Sequence, residues 1–286
     1  MHPLNEKLTR TLLATALKED LAYGPDATTL ATVAEDDVSR ARFVSRKAGV
    51  VAGLDVIRWA LDSSEATVTL LKRDGDRIAP GDTLAQVEAP TRTLLTTERT
   101  ILNILSHASG IATATRRWVD AVNGTGARIR DTRKTLPGMR DLQKYAVRAG
   151  GGVNHRMGLG DAAMIKDNHV AAVSDNGAEG VVAALDAVRS HAPNLPCEVE
   201  VDTLDQLDAL LGLPEPPELV LLDNFSIGAT AEAVRRRNEA APGCALESSG
   251  GLSLDQAHAY ASTGVDYLAV GALTHSVTAL DIGLDY

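Results

Sequence analysis

Six apolar runs recur between residues 127 and 273, each closing on polar residues or glycine, and this rhythm limits the fold more than any other feature of the chain. They are ARIRDTRK (127–134), AAMIKDNH (162–169), PCEVEVD (196–202), ELVLLDNF (218–225), CALESSGG (244–251) and DYLAVGAL (266–273). Amphipathic helix candidates such as VVAALDAVRSH, LDQLDALLG, ATAEAVRRRN and LDQAHAYAST separate most of them. Strand and helix alternating at spacings of ~20–35 residues predict parallel βα units. A barrel and an open doubly wound sheet both satisfy that pattern, and in either one ligands sit at the carboxyl ends of the strands. The barrel is favoured, because polar residues end every run, as they would around one common mouth. Six repeats in place of eight make it incomplete.

Upstream the rhythm differs. Leu4, Leu8, Leu12, Leu13 and Leu17 recur at helical spacing after Pro3, and AYGPDATT follows as a loop. Residues 38–53 alternate partly as a strand, and a short helix is expected around Val56 to Leu61. Residues 66–90 read as strands broken at Asp74-Gly75 and Pro80-Gly81. A long helix covers 92–122, with Gly110 inside it marking a break or a close packing contact, and Gly124 to Gly126 end it. The expected division is an N-terminal α/β domain over 1–110 and an α/β barrel over 111–275, with the tail 276–286 a candidate to pack back on the first. Residues 173–180, VSDNGAEG, are expected to form a variable loop.

Charge is unevenly spread. From Arg128 to Arg156 there are eight Lys or Arg (128, 130, 133, 134, 140, 144, 148, 156) against Asp131 and Asp141, about +6 in a chain of net charge −10. A focused positive field within an acidic protein favours small polyanions over nucleic acid, because a duplex would meet the acidic surroundings too. A solvated basic helix face is the plainer reading of such a run. The Pro-Gly turn, the Gly-Gly-Gly turn and the Asn-His-Arg cluster within it are more than such a face needs.

The strand ends offer Arg133 and Lys134, then Lys166, Glu200, Asp223, Ser249-Gly250-Gly251 and Gly271. Singly, each has a structural explanation: a surface lysine, a helix-capping acid, a turn. Together they divide one pocket into cationic, acidic and glycine-rich zones. Carboxylates such as Glu200 and Asp223 suit a hard divalent ion or sugar hydroxyls. Glycine turns after the last two strands bring backbone N–H groups to a phosphate. Arg133, His155 and Arg156 suit carboxylates. The pocket therefore fits a phosphorylated sugar on one side and a carboxylated ring or acid on the other. His107, His169, His191 and His258 lack a comparable setting and are expected to be structural or surface residues.

The segments RDTRKTLPGMRDLQKYAVRAGGGVNHRMGLGDAAMIKDNH, ESSGG, VGALTHS and ERTILNILSHASGIAT closely resemble the quinolinate phosphoribosyltransferases, and the similarity runs through nearly the whole chain. The resemblance implies the type II phosphoribosyltransferase fold, an N-terminal α/β sandwich followed by an incomplete α/β barrel. It implies conversion of quinolinate and phosphoribosyl pyrophosphate to nicotinate mononucleotide, pyrophosphate and CO2 with Mg2+, a step of NAD synthesis. Arg133, His155 and Arg156 resemble the family's quinolinate-binding residues, with Thr132 adjacent. Lys134 and Lys166 resemble lysines lining the reacting centre, and Glu200 and Asp223 the acids that hold the ribose hydroxyls and Mg2+. Ser249, Gly250, Gly251, Val270, Gly271, Ala272 and His275 resemble the phosphate-side contacts. Arg99 is similar to an arginine inserted from a neighbouring subunit, which implies a homodimer or higher homo-oligomer. Within the basic stretch, Arg140 and Lys144 are expected to face solvent.

Three rivals stand beside this reading: a nicotinate phosphoribosyltransferase of related fold, a Schiff-base aldolase using Lys166 or Lys134, and a phosphosugar-binding module without catalysis. The N-terminus has no uninterrupted apolar core of a signal peptide, and no apolar run approaches the ~20 residues that span a bilayer. Cys197 and Cys244 lie far apart with no C-x-x-C partner, so buried strand thiols are expected in place of a disulfide or zinc site. A cytoplasmic location without membrane or nucleic-acid partners is expected.

Overall fold

The structure, a computed structural model, describes residues 2–62, 64–174 and 177–286 of the 286-residue chain. In chain order its elements are α1 (Glu6–Asp20), α2 (Ala27–Thr32), β1 (Val38–Ser45), β2 (Gly49–Val50), α3 (Asp55–Leu61), β3 (Thr67–Leu70), β4 (Arg77–Ile78), β5 (Thr83–Pro90) and α4 (Thr91–Ala121). There follow β6 (Arg128–Arg130), α5 (Arg140–Ala149), β7 (Ala163–Ile165), α6 (Asp167–Val173), α7 (Gly177–His191), β8 (Cys197–Val201), α8 (Leu204–Leu211), β9 (Leu219–Asp223) and α9 (Ile227–Ala240). The last are β10 (Ala245–Ser249), a 3-10 turn at Leu254–Gln256, α10 (Ala257–Ala261), β11 (Tyr267–Ala269), α11 (Ala272–His275) and β12 (Ile282–Asp285).

Contacts group the chain into two compact units, residues 1–116, 134–152 and 272–286 in the first, and 117–133 and 153–271 in the second. The first is built on an antiparallel sheet of order β12-β1-β5-β3. The tail thus adds its strand to the edge of β1, with Arg42 opposite Asp285 and Ser45 opposite Ile282. On β1, Ala41 and Phe43 point inward while Arg40 and Arg42 are exposed, the alternation of a sheet covered on one face.

Gly110 does not break α4, which runs through it unbroken. A Cβ there would lie 3.0 Å from Ala279 Cα and closer still to the Thr278 carbonyl oxygen, so this glycine lets the tail cross the helix. Gly150 works similarly, since a Cβ would lie 2.6 Å from Thr115 Cβ on α4. The Gly-Gly-Gly segment therefore begins as a packing feature. Two expectations fail in this unit. The segment read as a loop at 22–29 contains the start of α2, because Asp26 accepts the Thr29 N–H at 3.0 Å and caps it. Lys144, expected to face solvent, is 0% exposed, since α5 buries Leu142, Gln143, Lys144, Tyr145, Ala146 and Val147 and so turns most of its circumference inward.

The second unit is the parallel sheet that the apolar runs predict. Among the described residues its order is β6-β11-β10-β9-β8-β7, all neighbours parallel. The first strand pairs with the last, and every other strand lies beside its successor in sequence. That is the order of a barrel; a doubly wound sheet would reverse direction from a central strand. Residues at the other edge of β6 come from Val153, which bridges Arg130 and receives the Asp131 N–H at 3.2 Å. Strand interiors such as Val199, Val201, Val220, Leu222, Leu246 and Leu268 are fully buried, as expected where helices cover a parallel sheet.

The strands are shorter than the apolar runs. β6 stops at Arg130, so Arg133 and Lys134 lie beyond it instead of closing it, and α6 begins directly after Lys166 within the run read as 162–169. Of the expected loop at 173–180, Val173 ends α6 and 177–180 begin α7, while Asp175 and Asn176 lie outside the described residues. Among the described residues no helix is long and apolar enough to cross a membrane.

Candidate active site

In the second unit, Lys166, Glu200, Asp223 and Ser249 stand at the carboxyl ends of β7, β8, β9 and β10, with Gly250-Gly251 just beyond and Val270-Gly271 after β11. Parallel strands bring these ends to one rim. Lys166 Nζ donates to Glu200 Oε2 at 2.7 Å, joining the first two. Asp223 accepts from Asn224 Nδ2 at 2.7 Å, and the Asn224 N–H donates to the Ser249 carbonyl at 2.9 Å. Asn224 adopts φ 56°, a left-handed conformation that asparagine tolerates, and this turn ties the end of β9 to that of β10. Gly250 makes it possible: a Cβ there would lie 2.6 Å from Asn224 Cγ and 2.9 Å from its backbone N.

The cationic side is a pair of guanidiniums. Arg156 Nη1 donates to the Ala162 carbonyl at 3.0 Å, and its pKa is lowered by burial first and then by the positive charge of Arg133. A guanidinium held half-buried beside a second positive charge forms a site that gains when a carboxylate arrives. Thr132 precedes Arg133 in the same loop. In the first unit, Lys134 offers its carbonyl to Thr274 Oγ1 at 2.8 Å, and Ala272 and His275 begin and end α11. His275 Nδ1 lies 2.6 Å from Ser276 Oγ. Arg99 is exposed on α4, and no ion pair to an acid is seen for it among the described residues.

Beneath the rim lies a polar cluster that the apolar runs conceal. Arg130, Glu198 and Glu247 come from β6, β8 and β10, alternate strands, as in one interior layer of a barrel. Glu198 and Glu247 are 5% and 0% exposed and His155 is 6% exposed. Arg130 Nη1 lies 2.7 Å from Glu247 Oε2 and 3.9 Å from Glu198 Oε2, and its guanidinium stacks 5.0 Å from the Tyr267 ring centre. His155 Nε2 lies 2.7 Å from Glu198 Oε2 and 3.9 Å from Glu247 Oε1. Burial, reinforced by the charge of Glu198, pushes the Glu247 carboxyl up to about 7. Glu198 is also raised by burial, against the pull of Arg130. Fully buried Asp131 accepts the His155 N–H at 2.7 Å and Asn154 Nδ2 at 2.5 Å. Glu198, Glu247, Arg130 and Asp131 were missed in the sequence. The signal was the period of two, which sets Glu198 two residues before Glu200 and Glu247 two before Ser249, on the same strand faces one layer deeper.

Two places could be considered for a metal ion. His155, Glu198 and Glu247 place ligand atoms within 4.8 Å of one another, but the His155 ring already pairs with Glu198 and the Arg130 guanidinium with Glu247. Glu200 and Asp223 fit better, as hard oxygen donors at the rim on adjacent strands. Neighbouring Asp202 is raised by burial and then by the charges of Asp223 and Asp167, so this zone gains from a cation. Two carboxylates suit Mg2+, which keeps several waters and takes substrate phosphates as further ligands. Of the other histidines, His107 pairs with Gln143 at 2.9 Å, His169 Nδ1 accepts the Lys166 N–H at 3.0 Å, and His258 Nδ1 lies 3.2 Å from the Ala121 carbonyl. These are structural roles. Both cysteines are free and buried.

Residues 26–109 match the quinolinate phosphoribosyl transferase N-terminal domain family, and residues 111–285 match the corresponding C-terminal domain family. The chain is 60% identical over 280 residues to the nicotinate-nucleotide pyrophosphorylase [carboxylating] of Mycobacterium leprae, covering 96% of each. It is 37% identical to the probable nicotinate-nucleotide pyrophosphorylase [carboxylating] of Bacillus subtilis, over 99% of this chain and 94% of that one. The solved structure of the nicotinate-nucleotide pyrophosphorylase from Francisella tularensis superposes with a TM-score of 0.87 at 34% identity, covering 99% of this chain and 97% of that one. Matched in both halves and nearly end to end, the chain belongs to the quinolinate phosphoribosyl transferase family.

Proposed function

We propose that the chain transfers the phosphoribosyl group of phosphoribosyl pyrophosphate to quinolinate with loss of CO2, giving nicotinate mononucleotide and pyrophosphate in NAD biosynthesis. The reading is carried by the guanidinium pair Arg133 and Arg156, which lies in the same unit as a rim of strand ends bearing Lys166, Glu200, Asp223 and the Ser249-Gly250-Gly251 turn. A dicarboxylate offsets the burial and the neighbouring charge of Arg133 that lower Arg156. Nicotinate, with one carboxylate, matches less of the half-buried guanidinium pair, so quinolinate is preferred.

In this reaction the ring nitrogen of quinolinate attacks C1 of the ribose as the bond to pyrophosphate breaks, through a transition state with oxocarbenium character. Glu200 and Asp223 hold the ribose hydroxyls and favour the positive charge developing on the sugar. Lys166 neutralises Glu200 in the resting pair and turns to the departing pyrophosphate, a role that Lys134 shares by resemblance. The positive charge of the quaternary ring nitrogen then stabilises the carbanion left on the adjacent ring carbon when its carboxylate departs as CO2, and that carbon takes a proton. Backbone N–H groups of the 249–251 turn and of Val270 and Gly271 hold the 5′-phosphate, a role that Ala272 and His275 share by resemblance. Glu200 and Asp223 would hold Mg2+, which supplies charge neutralisation for the pyrophosphate oxygens.

The working unit is a homodimer or higher homo-oligomer of the cytoplasm, in which exposed Arg99 reaches the neighbouring chain's quinolinate. Its lack of an acidic partner among the described residues supports that role over a surface ion pair. The test is to incubate the protein with quinolinate, phosphoribosyl pyrophosphate and Mg2+ and follow CO2 and nicotinate mononucleotide. Formation of both is expected; turnover of nicotinate in place of quinolinate, or of neither, would overturn the reading. Omitting Mg2+ with a chelator is expected to abolish turnover.

A further inference from the structure

The imidazole of His155 has no nitrogen left for a ligand. Its Nδ1 accepts the N–H of Arg156 at 2.7 Å, so Nδ1 carries no proton, and its Nε2 lies 2.7 Å from Glu198 Oε2 and therefore carries the proton and donates it. The ring is buried, and the backbone on either side of it is held as well, since Asp131 takes the His155 N–H. Glu198 cannot move alone, because its charge and that of Glu247 are shared with Arg130. The cluster is thus a rigid post standing on three barrel strands, with the Arg156 backbone at its top.

We infer that Glu198, with Glu247 and Arg130 behind it, is a positioning residue for quinolinate: through the His155 ring it fixes the backbone of Arg156 and so the direction of its guanidinium. This rests on the proposed function and assigns His155 a different task from direct contact with the substrate. The chemistry requires a fixed tautomer. Moving its proton to Nδ1 would set two N–H groups against each other at Arg156, rotating the ring would put a C–H there instead of an acceptor, and either change would leave a buried carboxylate oxygen without its donor.

Two experiments test it. In Glu198→Leu the His155 Nε2–H loses its acceptor, and the KM for quinolinate is expected to rise roughly tenfold to a hundredfold, as for a binding group displaced by about 1 Å, while the KM for phosphoribosyl pyrophosphate stays within about threefold. Glu198→Gln restores an acceptor and with it most of the quinolinate affinity. Equal losses toward both substrates, or no rescue by glutamine, would overturn the inference. Side-chain 15N NMR of the unmodified protein gives a second readout that does not depend on a variant folding. The His155 signals should show unprotonated Nδ1 and protonated Nε2, both without ligand and with quinolinate added. A switch to the other tautomer or to an imidazolium on adding quinolinate would assign His155 to direct contact instead. Should the wild type turn over no quinolinate, the functional reading fails, while the spectrum of the free protein still decides whether the post exists.

Discussion

Replacing Gly250 by alanine should damage the site far more than the same change one residue later. At Gly250, φ is +91°, outside the small left-handed region open to L-residues, which costs about 1–3 kcal/mol for alanine. The added Cβ would also lie 2.6 Å from Asn224 Cγ and 2.9 Å from Asn224 N. The side chain can rotate away only by giving up its 2.7 Å hydrogen bond to Asp223, worth about 1 kcal/mol at a partly exposed carboxylate. The backbone nitrogen cannot, because it is tied to the Ser249 carbonyl at 2.9 Å. The sum is about 2–4 kcal/mol. Gly251 has φ +59°, within the region L-residues reach, and nothing within 4 Å of the position of a Cβ, so alanine there costs about 1 kcal/mol. Urea unfolding of the two variants measures the difference. In steady-state kinetics, Gly250→Ala should also raise the KM for phosphoribosyl pyrophosphate by about tenfold or more, the equivalent of about 1.4 kcal/mol lost where Asp223 is no longer held. Equal stability losses in the two variants, or a Gly250→Ala protein with unchanged kinetics, would refute the proposed tie between the ends of β9 and β10.

Burial pushes the thiols of Cys197 and Cys244 each up to about 11, so at pH 8 only about one in a thousand is thiolate; neither should react with a thiol-specific disulfide reagent until urea unfolds the chain, and rapid native labelling would contradict their burial. Mixing an Arg99→Ala protein with a Lys134→Ala protein should restore part of the activity that each has lost if sites are completed across subunits, and proven mixed oligomers with no recovery would count against sharing. Gly110→Ala gains about 1 kcal/mol of helix propensity but sets a Cβ against the backbone at Thr278 and Ala279; the overpacking of about 1–3 kcal/mol should win and lower the melting temperature by ~2–4 °C, whereas a rise would mean that the tail yields freely.

The strands were legible because each is an apolar run punctuated by polar or glycine residues, and a parallel sheet covered on both faces requires that pattern. Their ends were less so. Composition continues past β6 through Asp131, Thr132, Arg133 and Lys134, but the strand stops at Arg130, where pairing with β11 ends at Ala269. Helix α6 was concealed for the same reason, since nothing in KDNH separates the end of an apolar run from the first turn of a helix. Lys144 was misread because charge outweighed geometry. Its neighbours Leu142, Tyr145, Ala146 and Val147 already mark an inward face, and a lysine beside them on α5 has little circumference left outside.

The rim residues were found by their chemistry, whereas the layer beneath them could have been found by arithmetic. In CEVEV, once Glu200 is assigned to the mouth, side-chain alternation sends Glu198 to the same interior face, about 6–7 Å further down the strand. In ALESS, Ser249 fixes Glu247 in the same way. Two interior carboxylates demand a cation, and among the early strand residues Arg130 sits on the face that can supply it. What the arithmetic cannot reach is the fate of the remaining donor. Whether the His155 proton is spent on Glu198 or offered to a substrate depends on a ring orientation set by the turn at residues 153–156, whose shape is fixed by Asp131 and not by any periodicity.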